Sequence, residues 1–122
     1  MLLDSNIIIY AFQPEYDRIR SFLEAGDFSA SAITQLEVVG YWRLSEFERH
    51  RFNLFFNGLN LLSVTTGIIH AAISLRQQRS IGLADAIIAA TALVHKMPLI
   101  THNTQDFRWI EGLELIDPLV AK

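Results

Sequence analysis

Apolar positions along the chain fall into two kinds of run. Leu2-Leu3, Leu61 to Thr65, Pro98 to Thr101 and Leu113 to Ile116 are short and mostly apolar, the pattern of strands buried on both faces, and Phe28 to Ala32, with Ser29 and Ser31, reads as a further strand. Between them the apolar residues recur at helical spacing. Asn6 to Phe12 makes a helical turn before Pro14, and Tyr16 to Ala25 carries Ile19, Phe22 and Leu23 and stops at Gly26, a residue suited to the left-handed position past a helix. Thr34 opens a helix through Leu44. Ser45 with Glu48 forms a capping box for a helix containing Phe47, Phe52, Leu54 and Phe55, closed by Gly58. Gly67 to Gln78 and Leu83 to His95 complete the helices. Buried strands alternating with helices predict an α/β fold, a three-layer α/β/α sandwich around a parallel sheet. With no internal repeat, low-complexity tract or linker, residues 1–122 are expected to form a single domain.

Composition narrows the chemistry. At 122 residues and 51% hydrophobic content the chain can bury a core without staples, and the absence of cysteine excludes disulfides, zinc-thiolate sites and thiol nucleophiles. The amino terminus lacks a basic n-region. The longest apolar stretch, Leu83 to Val94, is broken by Asp85 and Thr91 and is shorter than a bilayer span, so a cytoplasmic protein without membrane attachment is expected. A net charge of −3 supplies no electropositive field for nucleic acid, so any such substrate must be argued from the site. Arg43, Arg49, Arg51, Arg76, Arg79, Lys96 and Arg108 read as solvated faces. The six glycines form no phosphate loop, and no serine lies in a nucleophile elbow.

In parallel α/β sheets ligands bind beyond the carboxyl ends of the strands. Asp4 directly follows the first strand, and Asn103 and Asp106 follow the strand ending near Ile100. Asp85 lies in a segment apolar almost all round, where an unpaired carboxylate would be expensive; a partner or a metal resolves this, and so does a place in the first turn of a helix. Glu37 also has two readings, since Thr34-Gln35-Leu36-Glu37 matches a capping box. The four histidines, His50, His70, His95 and His102, show no metal-ligand spacing. What remains is a set of oxygen donors, the environment of Mg²⁺ or Mn²⁺.

Leu3-Asp4-Ser5-Asn6, Ser31-Ala32-Ile33-Thr34-Gln35-Leu36-Glu37, Gly82-Leu83-Ala84-Asp85-Ala86 and Thr101-His102-Asn103-Thr104-Gln105-Asp106-Phe107 occur in this order across nearly the whole chain. Together they resemble the PIN-domain family, within it the VapC-type toxins of toxin–antitoxin pairs. The resemblance implies an endoribonuclease that hydrolyses RNA with Mg²⁺, or Mn²⁺ in its place. It further implies Asp4, Glu37 and Asp85 as metal-site acids, with Asn103 as a polar neighbour in the fourth position and Asp106 as the alternative. A homodimer and a cognate antitoxin seated in the active-site groove are implied as partners.

From phosphodiester chemistry, Asp4 and Asp85 are expected to bind the ion directly or through water, and Glu37 to complete the site or orient the attacking water. Thr34 or Thr101 is a candidate to orient the same water. Crowded carboxylates without a metal are expected to have raised pKa values. The aromatics Tyr41, Trp42, Phe47, Phe52, Phe55 and Phe56 exceed what a small core needs, which suggests an interface besides the core. The competing readings are a non-catalytic PIN-like binding module, supported by Asn103, and a phosphoacceptor domain built on Asp4, which lacks a paired acid and a matching lysine.

Overall fold

Leu2-Leu3 shows how little sequence a doubly covered strand needs. In the computed structural model, which describes residues 1–120, these two residues form β1 (Leu2–Leu3), the central strand of a five-stranded sheet. The others are β2 (Ser29–Ser31), β3 (Asn60–Leu62), β4 (Leu99–Ile100) and β5 (Leu115–Ile116), in the order β3-β2-β1-β4-β5 with every pairing parallel. The helices are α1 (Ser5–Ala11), α2 (Asp17–Glu24), α3 (Ala32–Val39), α4 (Glu46–Asn57), α5 (Thr66–Gln78), α6 (Leu83–His95) and α7 (Thr104–Phe107). None of them is long and apolar enough to cross a membrane.

Strand alternation divides the core into two. Leu2 and its register partner Leu99 face one side, where they meet Ile68 and Leu75 of α5, Ala86, Ile88 and Ala89 of α6, and Phe107. Leu3 and its partner Ile100 face the other, against Ile7 and Ile8 of α1, Val38 of α3, and Phe52 and Phe56 of α4. The sheet is therefore covered on both faces, and the α/β/α expectation holds. From β1 the chain moves outward to β2 and β3, then crosses back to place β4 and β5 on the opposite side of β1. The carboxyl ends of β1 and β4 consequently flank a topological switch point, the position where parallel sheets open a crevice.

Several local expectations are corrected. The helix expected from Thr34 to Leu44 begins earlier and ends earlier, because Ser31 at the end of β2 caps it: its side-chain oxygen accepts from the Ile33 N–H at 3.2 Å. Thr34 is thus inside the helix and buried, and the Thr34–Glu37 capping box does not form. Gly26 is not left-handed; the positive φ values belong to Gly112 (83°) and to Lys96 (56°), which ends α6 while the Met97 N–H closes onto the Ala92 carbonyl at 2.9 Å. A four-residue helix, α7, follows β4 where the apolar spacing predicted none.

The Ser45–Glu48 capping box, Gly58 at the end of α4 and the bounds of α6 agree with the sequence reading. Of the noted aromatics, Phe52 and Phe56 are core residues, whereas Tyr41, Trp42 and Phe47 are exposed. At the start of α5, Thr65 accepts from the Ile68 N–H at 3.2 Å. Thr65→Ala is expected to destabilise the fold by about 1 kcal/mol with catalysis unchanged, measurable as a shift of the urea midpoint at constant slope.

Candidate active site

Asp4 leaves β1 and at once becomes the N-cap of α1: one carboxylate oxygen accepts from the Ser5 N–H at 2.8 Å. Its other oxygen accepts from the Thr101 hydroxyl, also at 2.8 Å, across the switch point from the end of β4. The same hydroxyl accepts from the Asn103 N–H at 3.0 Å, so its proton and one of its lone pairs are both engaged. Ninety-seven residues of sequence separate the partners of that Thr101–Asp4 bond, so the sheet alone brings them together.

Ser5 carries the construction to the next acid. Its hydroxyl donates to Glu37 Oε1 at 2.6 Å and lies 3.4 Å from the Thr34 hydroxyl. Since a serine has one proton, Thr34 must donate in that second contact. Thr34 and Glu37 are one helical turn apart on α3, so a single face of that helix turns both toward α1. Glu37, released from the cap that Ser31 provides, is exposed and keeps its second oxygen for solvent or ligand.

Asp85 occupies the first turn of α6, whose N-cap Gly82 offers no side chain. It is half-buried, so it keeps some access to water and is less isolated than its apolar neighbours in sequence imply. The site therefore runs from a buried acid, Asp4, through a half-buried one, Asp85, to exposed ones at Glu37 and Asp106.

The acids act on one another electrostatically. Burial pushes the Asp4 carboxyl up from 3.8 to about 6; the Thr101 and Ser5 hydrogen bonds oppose the rise, and the charges of Asp85 and Glu37 add to it. Asp85 is raised first by burial and then by Glu37 and Asp106. The rise expected from crowding is thus present, but desolvation is its larger cause.

Of the two fourth-position candidates, Asp106 lies within Coulombic reach of Asp85, while Asn103 is half-buried at the N-cap of α7 and makes no side-chain capping bond. Two expectations are corrected. Thr34 and Thr101 are fully buried and occupied, so they position acids rather than water. The acids also do not form a finished ligand cluster: among the described residues no three His, Asp or Glu side chains gather closely enough to hold one ion as they stand. Like charges keep apart, and Ser5 draws Glu37 Oε1 to itself. The donor set is nevertheless carboxylate oxygen throughout, which suits a hard divalent cation.

Sequence reasoning missed Ser5 and the capping role of Asp4. An aspartate followed by small polar residues between a strand and a helical run is the local signal for that cap. His102 pairs with Asp117, its Nδ1 3.0 Å from Asp117 Oδ2.

A family model described as PIN domain matches residues 1–113. The chain is similar to the tRNA(fMet)-specific endonuclease VapC of Shigella flexneri, with 28% identity over 127 aligned residues, 95% of this chain and 96% of that protein. It is 46% identical over 41 residues to Ribonuclease VapC1 of Rickettsia felis, a match that spans 34% of this chain and 31% of that relative. Among solved structures, a toxin-antitoxin complex from Klebsiella pneumoniae superposes with a TM-score of 0.81 at 33% identity, covering 96% of both chains.

Proposed function

This chain belongs to the PIN-domain family, and from that premise we propose that it is the endoribonuclease toxin of a toxin–antitoxin pair, hydrolysing RNA phosphodiester bonds in the cytoplasm with Mg²⁺. Residues 1–122 are taken as one such domain, and Mn²⁺ as a working substitute for Mg²⁺. The observation that carries this reading is the seating of Asp4. A buried carboxylate, braced from two strand ends and within the field of Asp85 and Glu37, is costly to the fold and makes sense where a cation compensates it.

Asp4 and Asp85 would hold the ion, with Glu37 completing the set. When bound, the ion supplies charge neutralisation for the phosphate and activation of water. The rest falls to the chain. Ser5 fixes Glu37 Oε1, leaving Oε2 to complete the ion's ligand set or to orient the attacking water. Thr101 keeps Asp4 from rotating out of the crevice. Asp106 or Asn103 closes the edge on the α7 side.

The groove beside Glu37 suits the antitoxin. A cavity of ≈ 350 Å³ is lined by Ile9, Phe12, Glu37, Tyr41, Leu44 and Phe52 among others, so an apolar segment seated there would bring a basic side chain onto the acids. For the homodimer, Ile69 and Ile73, one turn apart and exposed on α5, offer the apolar face.

Mg²⁺ or Mn²⁺ is expected to raise the melting temperature of the wild type, by roughly 2.7 kcal/mol of stabilisation at 100 times the dissociation constant, and to leave Asp4→Asn/Asp85→Asn unmoved. An equal rise in both proteins, followed by scanning fluorimetry, counts against the site. The function itself is tested by sequencing RNA ends after inducing the wild type and Asp4→Ala. New ends are expected from the wild type alone. The lack of a preassembled ligand cluster favours the binding module as the second reading, and a wild type that binds its antitoxin yet leaves all RNA intact would establish it.

A further inference from the structure

Asp85 and Asp106 also line a second cavity, of ≈ 400 Å³, shared with Arg79, Gly82, Gln105 and Trp109. Its size lies within the range of small-molecule sites. Trp109 is held there: its indole N–H donates to the Asp106 carbonyl at 2.9 Å, and the ring is half-buried against the core cluster containing α6. The Arg79 guanidinium lies over the ring, 5.6 Å from its centroid.

Arg79 is exposed and, among the described residues, pairs with no carboxylate, although two acids line the same cavity. An aromatic wall beside a guanidinium that pairs with no carboxylate, next to the acids of the proposed nuclease, matches what a single-stranded nucleotide needs. The base requires a flat apolar face, and the phosphate a planar donor fork.

We propose that this cavity is a nucleotide subsite for the RNA strand, in which a base adjoining the scissile bond stacks on Trp109 and its phosphate is clamped by Arg79. The proposal deepens the nuclease reading and rests on it. The bland alternative is that Arg79 and Trp109 merely tie the end of α5 to the segment after α7. A solvent-exposed cation–π contact is weaker than a base stacked on an aromatic ring, however, so exchanging the guanidinium for a base favours the bound state. The guanidinium so released is then free for the phosphate. On a chain of net charge −3, this local cation offsets the repulsion that the acidic edge imposes on RNA.

The test uses the chain's own fluorescence. The sequence has two tryptophans, and Trp42 is exposed and outside the site, so Trp42→Phe leaves Trp109 as the single reporter. Titrating that variant with a short single-stranded RNA in EDTA is expected to quench emission saturably. Arg79→Gln in the same background is expected to weaken binding about tenfold and to reduce the slope of log K against log salt by about one.

In steady-state cleavage with Mg²⁺, Arg79→Gln and Trp109→Leu are each expected to raise KM about tenfold with kcat nearly unchanged, since the subsite holds ground and transition states alike. Arg79 is exposed, so its variant keeps the wild-type melting temperature and controls for damage to folding at Trp109. Unchanged emission together with normal RNA cleavage overturns the subsite and leaves the nuclease standing. A wild type that cleaves no RNA overturns the nuclease reading and the subsite with it.

Discussion

Asp4→Asn is expected to abolish RNA cleavage while making the metal-free protein more stable. The side chain is 3% exposed, and burial holds its carboxyl at about 6 against an ordinary 3.8. The folded state therefore binds this proton more tightly than the unfolded chain. Asp4's contribution to stability is greatest below the unfolded value near 4, falls as pH rises from there to about 6, and is level above.

The span of that fall is at most about 3 kcal/mol, and the raised carboxyl of Asp85 adds in the same direction. Asparagine removes the charge and keeps an oxygen for the Ser5 N–H, at the cost of the bond that Oδ2 accepts from the Thr101 hydroxyl. A gain of about 1–2 kcal/mol at pH 7.5, or roughly 3–8 °C, follows for a chain of this size, together with a flatter pH dependence between 4 and 6. Cleavage should drop by more than about 100-fold, because an acid proposed to hold the ion is lost. Melting curves across pH and a fluorogenic RNA substrate measure both effects. Loss of stability with retained activity would mean that Asp4 is simply a helix cap.

Thr101→Val is expected to move the acid limb of the pH–rate profile upward. The hydroxyl donates to Asp4 Oδ2, and that bond is the main influence opposing the rise caused by burial. Without it the Asp4 carboxyl stays protonated to a higher pH. Activity should fall about tenfold at pH 6.5 and recover by pH 8.5. Stability is expected to drop by about 1–3 kcal/mol, since the Asn103 N–H also loses its acceptor. Thr101→Ser, which restores the hydroxyl, should return the profile to wild type. A purely structural role for Thr101 would lower activity equally at all pH values.

The contrast between Glu37 and Asp85 shows where the sequence is sufficient. Asp85 belongs to α6, whose bounds can be read from apolar spacing and a glycine start, so its place in the first turn is visible locally. Glu37 depends on which of two hydroxyl residues three apart caps α3. That is decided by where β2 ends in the sheet, a tertiary fact that local spacing does not contain.

The parallel sheet was legible chiefly from β1 and β4, which are apolar and buried on both faces. The bracing of Asp4 was not, because Thr101 reaches it only after β4 has inserted beside β1. The same holds for Arg79 and Trp109, which are unremarkable in sequence and meet only where α5 ends against the segment following α7. Gly26 illustrates the converse error. A glycine after a helical run invites a left-handed assignment, yet α2 ends without one while Lys96 adopts that conformation at the end of α6.

Asp4 at the end of β1, Glu37 on α3 and Asp85 on α6 are proposed to grip one divalent ion together. Anomalous diffraction from a crystal soaked in Mn²⁺ addresses this directly. A manganese peak bonded to Asp4 and Asp85 is expected, with Glu37 in its coordination sphere and the peak gone in Asp4→Asn. A fully occupied ion elsewhere, or none at this edge in crystals of a protein that still cleaves RNA, would contradict it.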